Sequence, residues 1–126
     1  MMVDSDVIIW HMRGNLKSRD LLDTNTRFYI SAVTYMEVVQ GLRNKKELKA
    51  FKEALQFWQT KILQIDERIS TKAMLYVEQY FLSHSLQLAD ALIGATAISY
   101  QLPLVTGNSK HYSVFRGLEI SNFSPL

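Results

Sequence analysis

Three carboxylates stand among apolar neighbours. Asp4 directly follows the run Met1-Met2-Val3. Glu37 sits among Met36, Val38 and Val39. Asp90 is the sole charge between His84 and Lys110, with Ala89 and Ala91 beside it and Leu88 and Leu92 beyond. A carboxylate held against apolar surroundings must be hydrogen-bonded, paired or bound to a cation. Three brought together raise one another's pKa unless a cation neutralises them. The chain has no cysteine and three histidines, His11, His84 and His111. The cation is therefore oxygen-ligated, which selects Mg²⁺ or Mn²⁺. Such a site suits phosphodiester hydrolysis, because a hard ion lowers the pKa of a bound water and stabilises charge on the phosphate.

Each residue also has a structural reading. Asp4 can cap a helix. Thr34 and Glu37 spell a capping box, with Thr34 as N-cap. Asp90 is tolerated near a helix start by the dipole, with Ser85 available as the cap. Asn108, in Thr106-Gly107-Asn108-Ser109, suits a turn. Convergence decides between the readings, and convergence depends on the fold.

Short β-type runs alternate with longer helical patterns. Strands are expected at Met1–Val3, Arg27–Ile30, Lys61–Ile65, Leu102–Val105 and, at an edge, Leu118–Ile120. Helices are expected from near Ser5, over Thr34–Leu42 and Lys45–Trp58, from the cap Asp66 to about His84, and over Leu88–Tyr100. Alternation of this kind predicts an α/β fold with a mostly parallel sheet of four or five strands and helices on both faces. Ligands in such sheets bind at the carboxyl ends of the strands. Asp4, Glu37, Asp90 and Asn108 all fall at those ends or at the starts of helices beside them.

The length of 126 residues predicts one domain, 1–126. The lack of cysteine excludes a disulfide scaffold and a thiol nucleophile. No run is long enough to span a bilayer and no signal peptide is evident, so the expected location is cytoplasmic with no membrane contact. Net charge is +2, but most basic residues lie between Arg13 and Lys61. Arg13 and Lys17, just past the first helix, are the better candidates for phosphate contacts; Arg43, Lys45, Lys46, Lys49 and Lys52 read equally as a solvated face. His111 is a proton shuttle or a surface residue. Phe51, Trp58, Tyr76, Tyr80 and Phe81 are expected in the core. The stripe Leu48, Phe51, Leu55, Trp58 also offers a groove for a partner helix.

The segment Val3-Asp4-Ser5-Asp6-Val7-Ile8-Ile9-Trp10 resembles the opening strand-to-helix turn of PIN-domain ribonucleases, especially VapC-type toxins of bacterial toxin–antitoxin pairs. Ile30 to Gly41 is similar to their second acidic segment, Leu88 to Ala97 to the third, and Leu104-Val105-Thr106-Gly107-Asn108 to the fourth. The likeness covers essentially the whole chain in order and spacing. It implies a PIN-like three-layer α/β/α sandwich. Asp4, Glu37 and Asp90 would be its acidic metal-site residues, with Glu37 able to act through water. Asn108 would stand where many members carry a fourth acid, supplying an amide oxygen without charge and weakening any second ion. Ser5, Asp6 and Thr106 match supporting positions. Leu88 replaces an acid found in many relatives. The resemblance further implies a Mg²⁺- or Mn²⁺-dependent endoribonuclease toxin acting on tRNA, mRNA or rRNA. Its implied partners are a small antitoxin that inserts a residue into the site, DNA only through that antitoxin, and a second copy in a homodimer. The alternative is a catalytically weak PIN-fold module acting in an antitoxin–DNA repressor complex. A phosphatase-like reading of Asp4 and Asp90 has only Asp6 in its favour.

Overall fold

Successive residues of a strand point to opposite faces of its sheet, and here both faces are covered. Met2 and Leu104 enter one core with Ile69, Ala73, Ile93 and Phe115. Val3 and Val105 enter the other with Ile8, Leu22, Phe51 and Trp58. The result is a three-layer α/β/α sandwich.

The computed structural model describes residues Met1–Leu126. The elements run β1 (Met2–Val3), α1 (Ser5–Met12), α2 (Leu16–Thr24), β2 (Tyr29–Ser31), α3 (Ala32–Gln40), α4 (Lys45–Trp58), β3 (Lys61–Leu63), α5 (Glu67–Tyr80), α6 (Leu88–Tyr100), β4 (Leu104–Thr106), a 3₁₀ turn (Ser109–Tyr112) and β5 (Ile120–Asn122). The sheet order is β3-β2-β1-β4-β5, and every pairing is parallel. The chain works outward from β1 to β3, then crosses back to β4 and β5. That reversal opens a crevice between the carboxyl ends of β1 and β4, where ligands of open α/β sheets bind. No helix is long and apolar enough to cross a membrane.

Several boundaries differ from expectation for local reasons. Helix α2 has no counterpart among the expected elements, because Leu16-Lys17-Ser18-Arg19-Asp20-Leu21-Leu22-Asp23-Thr24 shows little apolar periodicity. It is fixed by Asn15, whose side chain accepts from Ser18 N at 2.9 Å, and by burial of Leu22. Helix α3 starts at Ala32, two residues before the proposed cap Thr34. Ser31 ends β2 and caps α3 at once, its Oγ accepting from Val33 N at 3.0 Å. Thr34 therefore lies inside the helix, buried, and the capping box does not form. Helix α5 stops at Tyr80 instead of His84, and Phe81 is 55% exposed, not core. The cap of α6 is Gln87, with no side-chain hydrogen bond, so Ser85 does not serve. Phe51 and Trp58 are wholly buried, and the Trp58 indole donates to Asp23 at 2.8 Å; Leu55 packs against the same core, and Leu48 is half-buried. Strand β4 begins just after Pro103, whose carbonyl accepts from Met2 N at 2.8 Å. The proline thus abuts the sheet without needing a donor of its own.

Candidate active site at the carboxyl edge of the sheet

At the end of β1 the backbone turns straight into α1, and Asp4 caps that helix while also reaching β4. Its Oδ1 accepts from Ser5 N at 2.7 Å. Its Oδ2 accepts from the Thr106 hydroxyl at 2.7 Å. Thr106 Oγ1 in turn accepts from Asn108 N at 3.0 Å. One buried hydroxyl thereby ties the first acid to the loop that carries Asn108. The helix-cap reading of Asp4 holds, and the same side chain also lines the cleft at the carboxyl edge of the sheet.

Glu37, on the second turn of α3, receives the Ser5 hydroxyl at 2.5 Å. Ser5 is thus a strut between β1 and α3. Asp6 accepts from Gly107 N at 2.8 Å through Oδ2, while its Oδ1 is buried with no partner. Burial, then the neighbouring Asp4 charge, push the Asp6 carboxyl from the usual 3.8 up to about 6. Gly107 must be glycine for this approach: a Cβ there would lie 2.6 Å from Asp6 Oδ2 and 3.1 Å from the Phe123 carbonyl oxygen.

Asp90 lies in the first turn of α6, favoured by the helix dipole. Its oxygens meet the 3₁₀ turn. Tyr112 donates its hydroxyl to Oδ1 at 3.4 Å, and His111 Nδ1 lies 3.4 Å from Oδ2. Burial raises the Asp90 carboxyl above its usual range; His111 opposes the rise, and Asp4 and Glu37 add to it. Burial, followed by the charges of Asp4 and Asp90, also raises the Tyr112 hydroxyl, which keeps it a donor.

Asp4, Ser5, Asp6, Glu37, Asp90, Asn108 and His111 line one cleft of about 550 Å³. Thr106 lies beneath it, wholly buried. All the acids expected from sequence are brought together. Asn108 sits exposed on the rim, its side chain free of hydrogen bonds. Lys17, exposed on α2, lies outside this cleft, and Arg13 lines a neighbouring one. Tyr112 escaped the sequence reading because an isolated tyrosine after His111 looks like packing. The signal was its position four residues beyond Asn108, one 3₁₀ turn from the same loop.

The donor set fits a hard divalent ion. It is oxygen throughout apart from His111, and one acidic oxygen of Asp6 lacks a partner. The acids do not by themselves close into a three-ligand cage.

The sheet runs β3-β2-β1-β4-β5, with acids delivered to the β1–β4 crevice from β1, α3 and α6, and the sequence matches the PIN domain model over residues 1–116. The chain belongs to the PIN-domain family. Over 123 residues it is 32% identical to Ribonuclease VapC10 of Mycobacterium tuberculosis, a match that spans 94% of this chain and 90% of that protein. A toxin–antitoxin complex from Klebsiella pneumoniae superposes with a TM-score of 0.74 at 25% identity, over 99% of this chain and 97% of that one. DNA-bound VapBC from Salmonella typhimurium has the same fold, with a TM-score of 0.79 at 21% identity, each chain being 96% covered.

Proposed function

We propose that this chain is a VapC-type endoribonuclease toxin that hydrolyses cellular RNA (tRNA, mRNA or rRNA) in the cytoplasm. The carrying observation is the convergence of Asp4, Glu37 and Asp90 on one cleft at the β1–β4 crevice. The identity with Ribonuclease VapC10 supports the reading. Residues 1–126 act as one PIN unit, paired as a homodimer. A VapB-like antitoxin neutralises it, and DNA is reached only through that antitoxin; the structural relatives include such DNA-bound complexes.

Asp4 and Asp90 would hold Mg²⁺ or Mn²⁺ directly, Glu37 through water, and Asn108 by its amide oxygen. The ion supplies an activated water and neutralises charge on the scissile phosphate. The chain's own part is preorganisation. Thr106 and Ser5 N fix both oxygens of Asp4, Ser5 Oγ fixes Glu37, and Asp6 pins Gly107 so that Asn108 stays at the rim. Orientation of this kind is typically worth ten- to a hundredfold per supporting contact at metal sites.

Asp4→Asn and Asp90→Asn are each expected to lower RNA cleavage at least ~100-fold with circular dichroism unchanged. Cleavage by both variants at the wild-type rate would overturn the proposal. A non-enzymatic role in a repressor complex is the second reading, favoured by the uncharged Asn108 and the open acid cluster. Calorimetry with Mn²⁺ separates the two: binding by wild type, lost in Asp90→Asn, supports the nuclease, and no binding with or without RNA supports the repressor module.

A further inference from the structure

A second cleft, of about 420 Å³, lies along α1 from the acidic one, and Ile9 lines both. Helix α1 is the ruler between them. Asp4 caps its start and Arg13 caps its end, about 14 Å apart at 1.5 Å per residue. That is a distance of a few nucleotides along an RNA strand. The floor of the second cleft is apolar, formed by Ile9, Met12, Val38 and Leu42, and two arginines stand at it.

The two arginines are not equivalent. Arg43 is bound to Glu47, its Nη2 2.9 Å from Oε2, and its backbone N–H is taken by the other oxygen at 2.7 Å. Its charge is already matched. Arg13 makes no ion pair and no side-chain hydrogen bond. It sits where the carbonyl end of α1 favours a cation, which steadies the guanidinium without consuming its donors. A planar five-donor fork left free beside an apolar floor matches a nucleotide, with phosphate on the fork and ribose or base on the aliphatic side chains. Lys17, the other basic residue expected to contact RNA, lines neither this cleft nor the acidic one.

We propose that this cleft is a subsite for a flanking nucleotide of single-stranded RNA, with Arg13 as its phosphate ligand. It rests on the ribonuclease reading and adds a direction: substrate runs from the acidic cleft over Ile9 towards the end of α1. Arg13 then sets affinity for the strand and leaves the hydrolytic step alone.

The test uses labelled, mixed-sequence single-stranded RNA and the full chain carrying Asp90→Asn, so that binding is read without cleavage. Adding Arg13→Ala should weaken binding about tenfold and reduce the slope of log affinity against log salt by about 0.7, one phosphate contact on a single strand. Arg13→Lys should keep the slope and recover part of the affinity, and Lys17→Ala should do neither harm. In the otherwise wild-type chain, Arg13→Ala should raise KM with kcat held. Unchanged affinity and slope in Arg13→Ala, or equal losses from Lys17→Ala, overturns the subsite. An Arg13→Ala loss confined to binding of a polypeptide partner overturns it also. A wild-type chain that binds RNA through Arg13 but never cleaves it removes the ribonuclease reading and leaves the subsite. A chain that cleaves with Arg13→Ala kinetics equal to wild type removes the subsite alone.

Discussion

Asp4 and Asp90 line the same cleft, yet their carboxylates are held by different means. Around Asp4 the contacts are short, 2.5–2.8 Å from Ser5, Thr106 and Gly107 to Asp4, Asp6 and Glu37. They also join elements that the sheet already fixes, the ends of β1 and β4 and the start of α3. Around Asp90 both contacts are 3.4 Å, long for either bond type. They come from one 3₁₀ turn docked on the start of α6. The crevice side is therefore preorganised by strand pairing, whereas the α6 side is held only by two long contacts. Long hydrogen bonds in an unliganded site that shorten in the complex are a common pattern.

The sharpest way to break the contrast is to overfill the crevice side. Gly107→Val places carbon 2.6 Å from Asp6 Oδ2 and 3.1 Å from the Phe123 carbonyl. Asp6 can swing away, but the Phe123 backbone is paired to Thr106 and resists. A loss of about 3 kcal/mol is expected, read by urea denaturation, together with loss of RNA cleavage. Thr106→Val keeps the shape and deletes the hydroxyl that serves Asp4 Oδ2 and Asn108 N. It leaves two polar groups short of a partner and should cost about 2 kcal/mol. A loss below that of a surface substitution would mean that the short contacts contribute nothing.

Asp6→Asn probes the same side by pH. The folded-state pKa of Asp6 stands near 6 against 3.8 in the unfolded chain. The fold therefore binds the proton more tightly, and its ionised form destabilises. Wild-type stability falls from this group as pH rises from about 4 to about 6, then levels off. The undiscounted shift amounts to about 3 kcal/mol, and solvent at this half-buried side chain reduces it to about 1 kcal/mol. Asparagine keeps an acceptor for Gly107 N and does not titrate. In EDTA the variant should match wild type below pH 4 and exceed it by about 1 kcal/mol above pH 6.5, measured by thermal melts across pH. A pH-independent difference would show that Asp6 does not carry the shift.

The same asymmetry separates what was legible in the sequence from what was not. The layers, the parallel sheet and the convergence of Asp4, Glu37 and Asp90 follow from alternating short strands and long helices, because topology alone sends those ends to one edge. The cap of α3 did not follow. Thr34-x-x-Glu37 spells a capping box, but Ser31 at the very end of β2 caps first, and Glu37 is claimed by Ser5 from another element. Helix α2 was hidden because capping by Asn15 and one buried leucine hold it, not a periodic stripe. Helical phase places Phe81 in the core, but the helix ends one turn early at Tyr80. Tyr112 depends on the docking of a 3₁₀ turn against α6, a contact between residues 22 positions apart that no local pattern encodes.

Tyr112→Phe is the smallest perturbation and the most direct measure of the α6 side. It removes one oxygen from a side chain that is wholly buried and leaves the ring packed against Phe115, with centroids 6.3 Å apart. At 3.4 Å the lost bond is weak, so the expected cost in metal-free stability is below about 1 kcal/mol. If the α6 side tightens on a cation, the same variant should lower Mn²⁺ affinity several-fold, a larger effect than its apo stability implies. Thr106→Val should show the reverse balance, with most of its cost already present without metal. Calorimetry with Mn²⁺ beside urea denaturation in EDTA gives both quantities for both variants. Equal ratios would mean that the two sides are preorganised alike, and that the difference between 2.7 Å and 3.4 Å has no energetic consequence.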